Sequence, residues 1–324
     1  MENSNDIPEE LFGCWPNDST HSLHTSAKVA FPNQRYFIAV LYMSFYVVTV
    51  IPQFLVAMAI LHPRHIKHSC YKLMFIVSIL DISNLTSSFF VSSMLSFFNV
   101  HQCTRGRWVT SVGFIALTMW FAYCAASMVL AFNRVLRFTW MRAATFLFSG
   151  ERPWLWVPFI IAYALAINLT VKDPFYFYNP TAGEWNFYTK HYGTNYNHVC
   201  NNFFKFAFVS LSYATMIIRM RWKLKDISQN ISNMELKLSV QAFICGLLAA
   251  FSTVGYLAIT YLPIKDFPLV GVCGELLWAS VHGGSAYIYL AMNSSVRSIV
   301  ISLVRRKKSG IIYVSSNPRT SKST

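Results

Sequence analysis

The sequence predicts an all-α membrane protein built as a bundle of seven transmembrane helices, and its composition is the first reason. Hydrophobic residues make up 54% of the 324 residues, and charged residues only 12%. That charged share is about half of what an average globular domain carries. So few charges cannot cover a soluble surface, which argues against a soluble enzyme, a secreted disulfide scaffold and a disordered chain.

The second reason is that seven segments are long and apolar enough to cross a bilayer. A spanning helix needs about 20 mostly apolar residues, and its backbone must satisfy its own hydrogen bonds within the lipid. The fifth segment is the least apolar, since Asn201, Asn202 and Lys205 lie near its start. The predicted spans are 36–61, 73–98, 108–132, 154–171, 199–218, 238–262 and 269–292.

The third reason is the distribution of basic residues, which also predicts orientation. Nineteen Lys and Arg residues fall in the segments 62–72, 133–153, 219–237 and 294–324, against seven in the segments on the other side. Basic residues collect on the cytoplasmic side, so residues 1–35 are predicted to be extracellular and residues 294–324 cytoplasmic. The net charge of +14 is then a topology signal together with attraction to the inner leaflet, and nucleic-acid binding is not expected.

The segment after the seventh span has the pattern of an amphipathic helix. Apolar residues recur at positions 296, 299, 300, 303 and 304, and a basic run, Arg305 to Lys308, follows. We expect this helix to lie on the inner leaflet and the Ser-rich tail beyond it to be disordered.

Three of the seven cysteines and one glycosylation motif fall on the predicted external side. Cys103 precedes the third span and Cys200 ends the long loop before the fifth. We predict a Cys103–Cys200 bridge that ties this loop over the bundle, the alternative being two free thiols. Cys14 would remain unpaired or pair with another chain. Asn17 is the expected glycan acceptor because it is well clear of the lipid.

Several stretches resemble the class T serpentine receptors (Srt), a nematode chemoreceptor family within the G-protein-coupled-receptor-like seven-transmembrane proteins. They lie in and around the second, third, fourth and seventh spans. The stretches are Cys70-Tyr71-Lys72-Leu73-Met74-Phe75, Ile79-Leu80-Asp81, Leu130-Ala131-Phe132-Asn133-Arg134, Gly150-Glu151-Arg152-Pro153-Trp154-Leu155-Trp156, and His282-Gly283 with Ile288-Tyr289-Leu290 and Asn293.

The resemblance covers residues 36–300 and implies a chemosensory receptor that converts binding of an external small molecule or peptide into a cytoplasmic signal. It implies a heterotrimeric G protein and the lipid bilayer as partners, no cofactor, and the plasma membrane, including that of sensory cilia, as location. The sequence departs from the wider rhodopsin-like pattern. No acid precedes Arg134, the sixth span lacks a proline between Leu238 and Tyr261, and the seventh lacks Asn-Pro-x-x-Tyr.

The ionisable groups within the spans are the candidate functional residues. Asp81 is expected about 13 Å deep from the cytoplasmic end, either coupling the ligand pocket to the cytoplasmic face or held by Ser78, Ser83 or Asn84. By resemblance Arg134, with Asn133 before it, would contact the G protein. The alternative is an interfacial arginine that only sets topology.

Lys205 and Glu275 are the candidates for a ligand pocket near the external face. They are opposite in sign and are expected to be partners. The alternatives are snorkelling for Lys205 and an interhelical hydrogen bond for Glu275.

Two other functions fit the sequence less well. A transporter or channel subunit needs a continuous polar path, and the spans hold only Asp81, Lys205, Glu275 and His282 as ionisable groups. A membrane enzyme needs facing catalytic groups, and we expect Asp81 and His282 not to form such a pair. The loop histidines at 62, 65 and 68 are not expected to bind a metal.

Overall fold

The computed structural model describes residues 32–100, 108–189, 193–225, 233–261, 267 and 269–305. Seven long helices run through these residues, together with three short helices and one small sheet. The long helices are α1 (Gln34–Ile60), α3 (Ser69–Phe97), α4 (Trp108–Thr139), α6 (Arg152–Leu169), α7 (Tyr196–Lys225), α8 (Asn233–Tyr261) and α9 (Val270–Met292). The short ones are α2 (Pro63–Ile66), α5 (Met141–Phe148) and α10 (Ser294–Val304).

Each of the seven predicted spans overlaps one of the long helices. Among the described residues, α1, α3, α4 and α6 are long and apolar enough to cross a membrane by length and composition. The bent pair of α9 and α10 is a further candidate, and the apolar part of α8, Val240–Gly255, is shorter. The helix α7 carries Asn201, Asn202 and Lys205 in its first turns and basic residues at its end, which lowers its hydropathy.

The third long helix extends further than its apolar run. The sequence placed the end of the span at Phe132, but α4 continues to Thr139. Asn133 and Arg134 therefore lie inside a regular helix and are both buried, with exposed fractions of 0% and 3%. The helix thus continues seven residues beyond the apolar run that the sequence shows.

The long loop between α6 and α7 forms a sheet that the all-helical prediction missed. Strands β1 (Pro174–Asn179) and β2 (Glu184–Thr189) pair antiparallel from Pro174 opposite Thr189 to Asn179 opposite Glu184. A two-residue β3 (Gly193–Thr194) adds to β2. The segment Pro174 to Tyr178 consists of a proline followed by four aromatic residues, which fits a half-buried strand and not a loop.

The turn between β1 and β2 seats the hairpin on α1. The Asn179 side chain accepts hydrogen bonds from the amides of Thr181 (3.1 Å) and Ala182 (3.2 Å). Gly183 then has φ of 73°, a left-handed conformation that glycine adopts at little cost. The Gly183 carbonyl accepts a hydrogen bond from Tyr42 of α1, which fixes the hairpin tip.

The body of the hairpin packs directly on α4. At Gly113 an added Cβ would lie only 2.8 Å from Cβ of Tyr176, so the strand approaches the helix backbone closely. Tyr176 is fully buried and donates a hydrogen bond to Asn168 Oδ1 (3.0 Å). Burial raises the pKa of Tyr176 to about 12, so it stays a neutral donor. The hairpin is therefore part of the core at this end of the bundle.

At the opposite end, α10 turns away from α9 by 99° and packs against α1. Its buried residues are Val296, Ile299 and Val300, three of the five apolar positions read from the sequence, while Leu303 and Val304 are exposed in the isolated protein. The Asn293 side chain caps this helix by accepting a hydrogen bond from the Val296 amide (3.2 Å). The amphipathic helix predicted after the seventh span is present.

The loop histidines serve as structural links. His62 caps α2, and the buried His65 joins Ala59 O (2.8 Å) to the Ser295 hydroxyl (2.7 Å), stacked 4.6 Å from the Tyr71 ring. Among the described residues no group of three metal-ligand side chains comes together. In this way His65 connects α2 to α10.

The structure predicts that acidification loosens this α2–α10 contact. Burial lowers the pKa of His65 below its ordinary value of 6.5, so folding favours the neutral ring. A neutral ring contributes stability above pH 6.5 that is lost as pH falls through the lowered folded pKa. Hydrogen exchange of the α10 amides should rise between about pH 7 and about pH 5 in the wild type after correction for intrinsic rates. The same rise in His65→Gln would contradict this account.

Candidate functional site

An apolar cavity lies between the hairpin and helices α4, α7, α8 and α9. Its volume is about 210 Å³, far above the roughly 10–15 Å³ that one water needs on the same measure. Four aromatic side chains and one carboxylate dominate its wall. These are Trp120 of α4, Trp185 and Phe187 of β2, and Trp278 and Glu275 of α9.

Glu275 is a wall residue that reaches the hairpin. It is 5% exposed, and its Oε1 accepts a hydrogen bond from the backbone N–H of Trp185 (3.1 Å). Trp185 in turn donates from its indole to Ser92 Oγ of α3 (2.9 Å). The backbone N–H of Trp185 thus anchors the hairpin to α9, and its indole anchors the hairpin to α3. Of the two ligand-pocket candidates read from the sequence, Glu275 lies in the cavity wall.

Lys205 lies deeper, below the cavity wall, and it does not pair with Glu275. Its ammonium group lies 4.5 Å from the centroid of the Trp120 ring and 4.6 Å from that of Tyr123, both at cation–π distance. No ion pair joins Lys205 and Glu275, so the partnership expected from their signs is wrong. The ammonium lies instead over two aromatic rings of α4, and no carboxylate of the described residues is within ion-pair distance of it.

A buried polar cluster lies beneath these rings, centred on Asp81 of α3. Asp81 Oδ1 accepts from His282 Nδ1 (2.8 Å), and Oδ2 accepts from Gln53 Nε2 (3.1 Å) and Ser285 Oγ (3.0 Å). All four side chains are at most 5% exposed. We call Gln53, Asp81, His282 and Ser285 the polar core. It joins α1, α3 and α9 within the apolar bundle.

Two expectations about Asp81 are corrected by this geometry. Its partners are on α1 and α9 and not Ser78, Ser83 or Asn84 of its own helix, and it does pair with His282. Because α3 begins at Ser69, Asp81 lies twelve residues and about 18 Å from that helix end, and its depth in a bilayer stays a prediction. No sequence spacing could have indicated that residues 201 positions apart would meet.

The cavity and the polar core are separated by a single aromatic layer. The His282 ring centroid lies 4.4 Å from Tyr123, 5.7 Å from Trp120 and 6.4 Å from Trp278. Trp120 and Trp278 also line the cavity and contact each other edge to face at 5.4 Å. A shift of either indole would therefore change the contacts of the His282 ring, which hydrogen-bonds to Asp81.

The far end of α4 presents Asn133 and Arg134 inside the bundle. Neither amide atom of Asn133 has a hydrogen-bond partner among the described residues. A buried, unsatisfied amide is costly in a closed bundle. A partner that reaches this end of the bundle could therefore satisfy the Asn133 amide.

The remaining site predictions concern residues at the edge of, or outside, the described part of the chain. Cys200 is an exposed free thiol in α7, and Cys103 lies outside the described residues. The structure thus holds no bridge at Cys200, and the pairing stays a prediction. Asn17 and Cys14 also lie outside the described residues, so glycosylation at Asn17 stays a prediction as well.

The comparisons with known proteins agree with this architecture. The structure is similar to the crystal structure of squid rhodopsin, with a TM-score of 0.70, 12% identity, and coverage of 85% of this chain and 87% of that chain. At that identity the likeness shows the fold alone. A search of curated protein sequences finds no match.

Seven long helices around an apolar cavity and a polar core give the chain a seven-transmembrane fold like that of squid rhodopsin. The profile of the family described as "Serpentine type 7TM GPCR chemoreceptor Srt" matches residues 4–312. The chain belongs to this Srt family of seven-transmembrane chemoreceptors. Nothing in the comparisons supports a transporter.

Proposed function

We propose that this receptor binds an external small molecule in the cavity between the hairpin and α4, α7, α8 and α9. The observation that carries the proposal is the position of the cavity, one aromatic layer above the polar core. Ligand sites are concave, mostly apolar and supplied with a few polar groups, and this cavity has those features. Its enclosure by the hairpin favours a small molecule over a peptide.

The signal would pass from the cavity to the polar core through the aromatic layer. A ligand that binds one arrangement of Trp120 and Trp278 better than another shifts the population toward that arrangement. Because His282 touches both indoles and holds Asp81, the shift would alter how α3 and α9 pack. Asp81 is then the coupling residue, and Gln53 and Ser285 keep its second oxygen in place.

We propose further that the far end of α4 receives a heterotrimeric G protein. The basic residues at this end of the bundle support a cytoplasmic position, with the hairpin outside and the chain in the plasma membrane. Asn133, which has no partner among the described residues, and the neighbouring Arg134 are the groups that a G-protein segment would contact when the bundle opens. The absence of an acid before Arg134 removes one closed-state restraint that other receptors use.

The test is a reporter of G-protein activation in cells with demonstrated surface expression, screened with small-molecule odorants. We expect a responding compound to lose its effect in Trp278→Ala, because the cavity wall is removed, with a rise of tenfold or more in the half-effective concentration. The matched control is Trp108→Ala, an exposed tryptophan outside the cavity wall, which should respond normally. Equal responses in both variants would refute binding in this cavity.

Arg134→Ala separates binding from signalling. The residue is at the opposite end of α4 from the cavity, so a responding compound should bind with unchanged affinity. G-protein activation should fall by tenfold or more because the contact with the G protein is lost. Unchanged activation would show that Arg134 only sets topology.

A further inference from the structure

Two buried polar atoms of the cavity wall have no hydrogen-bond partner among the described residues. They are Oε2 of Glu275 and the indole nitrogen Nε1 of Trp278. Both residues line the cavity and are three positions apart on α9, so they share a face and lie about 4.5 Å apart along the helix axis. An unsatisfied acceptor and an unsatisfied donor thus belong to two neighbouring residues of one wall.

The other polar side chains of the wall are already engaged with the protein. Asn202 Oδ1 accepts from the Trp120 indole (2.8 Å), and Asn202 Nδ2 contacts His198 Nε2 (3.1 Å). The Ser252 hydroxyl donates to the Leu277 carbonyl (2.6 Å). Among these groups, the carboxyl group of Glu275 remains able to form a new hydrogen bond through Oε2.

The surroundings of Glu275 are acidic. Glu184 of β2 lies close to the start of α9, with its Oε2 2.7 Å from where a Cβ on Gly271 would be. Lys205 is beneath Trp120 and outside the cavity wall, and no ion pair with Glu275 is formed. No positively charged side chain of the described residues forms an ion pair with Glu275, and a positively charged ligand would offset the cost of burying its carboxylate.

The aromatic walls suit the same kind of ligand. Trp120, Trp185, Phe187 and Trp278 present ring faces or edges to the cavity, and tryptophan faces attract cations more strongly than other side chains. Phe187 stands edge to face with Trp278 at 6.4 Å, so the rings surround the space above Glu275 from two elements. An ammonium group next to Glu275 would be enclosed by rings while its apolar body fills the rest.

We propose that the ligand is a small organic amine, bound as its ammonium ion to Glu275 Oε2 with its apolar or aromatic body against the tryptophans. An acceptor atom of the ligand, such as a hydroxyl oxygen, takes the hydrogen bond that Trp278 Nε1 offers. This inference rests on the proposed function and names the chemical class of its ligand.

The experiment uses three probes that share one body: 2-phenylethylamine, 2-phenylethanol and phenylacetate. The series is repeated with 3-methylbutylamine and tyramine and with their matched alcohols. Thermal stabilisation of the full-length receptor in lipid nanodiscs reports binding without requiring signalling, and the G-protein reporter is run in parallel. Glu275→Gln removes the charge at constant shape, and Glu151→Gln, an exposed residue at the far end of the bundle, is the matched control.

The expected result is that at least one amine stabilises the wild type while its alcohol and carboxylate do not. Its apparent affinity should fall at least tenfold in Glu275→Gln and stay unchanged in Glu151→Gln. The proposal is overturned if no amine stabilises the folded wild type, or if Glu275→Gln binds amines unchanged. It is also overturned if the alcohols or carboxylates bind as well as the amines.

The failure of this inference and of the proposed function can be told apart. Alcohol binding that is lost in Trp278→Ala but kept in Glu275→Gln would retain the cavity and overturn the amine. Amine binding that depends on Glu275 without any reporter response would support the amine and count against coupling to a G protein.

Discussion

Asp81→Ala should remove most receptor from the cell surface. The substitution leaves the His282 and Gln53 donors without their carboxylate partner in a region that water does not reach. Breaking a buried charge-assisted cluster by removing one member costs about 3–5 kcal/mol, a large part of the stability of a typical fold. Thermal unfolding in detergent and surface staining of a tagged receptor measure the effect.

Asp81→Asn is the diagnostic companion of that variant. An asparagine keeps the volume, and its oxygen can still accept from His282, so surface expression should remain near wild type. The signalling response should change, because the charge that couples α3 to α9 is gone. Ser83→Ala, whose hydroxyl bonds only to Ile79 of its own helix, is the control. An unchanged concentration–response curve for Asp81→Asn would rule out a switching role.

Trp185→Ala should detach the hairpin from the bundle. The indole is 4% exposed, bonds to Ser92 and packs 5.4 Å from the Tyr178 ring. Deleting a buried tryptophan costs about 3–5 kcal/mol, and here the loss falls on the two strands that cover the cavity. Hydrogen exchange of the β1 and β2 amides should increase, and the half-effective concentration of any agonist should rise at least tenfold.

Trp185→Phe tests how much of the effect of Trp185→Ala comes from the hydrogen bond and how much from packing. It keeps an aromatic ring at this position but loses the hydrogen bond to Ser92, worth about 1 kcal/mol, and part of the buried indole volume. A small shift is therefore expected. If alanine and phenylalanine behave alike, the hydrogen bond and not the packing anchors the hairpin. If neither changes the response, the hairpin does not shape the ligand site.

The seven-helix bundle could be predicted from the sequence, but the hairpin in the long loop could not. Spans are readable because lipid forces about 20 consecutive apolar residues into helices, whatever their neighbours are. The hairpin is not predicted by the apolar spans, because it lies in the loop between two of them. The proline and aromatic residues of the segment Pro174 to Tyr178 nevertheless favour a strand. The end of α4 was missed because polar residues such as Asn133 can continue a helix beyond the lipid.

The residues of the candidate site could be picked out from the sequence, but the contacts between them could not be predicted. Asp81, Lys205, Glu275 and His282 stand out because ionisable groups are rare inside spans. Which of them meet depends on helix rotation and depth, and a single sequence does not contain those quantities. The opposite charges of Lys205 and Glu275 predict that these two residues pair. Packing instead placed Lys205 on Trp120 and Tyr123 and gave Asp81 to His282.

The most direct test of the account is ligand protection of a cysteine placed in the cavity wall. Cys273, an exposed cysteine outside the predicted Cys103–Cys200 bridge, is first replaced by serine, and Thr253→Cys is then introduced on α8. The Cys273→Ser receptor without Thr253→Cys gives the background labelling. A membrane-permeant thiol reagent should label Cys at this position, and a compound that activates the reporter should slow the labelling at least tenfold. Labelling that stays equally fast at saturating agonist would contradict the account, because the activating ligand would then bind somewhere else.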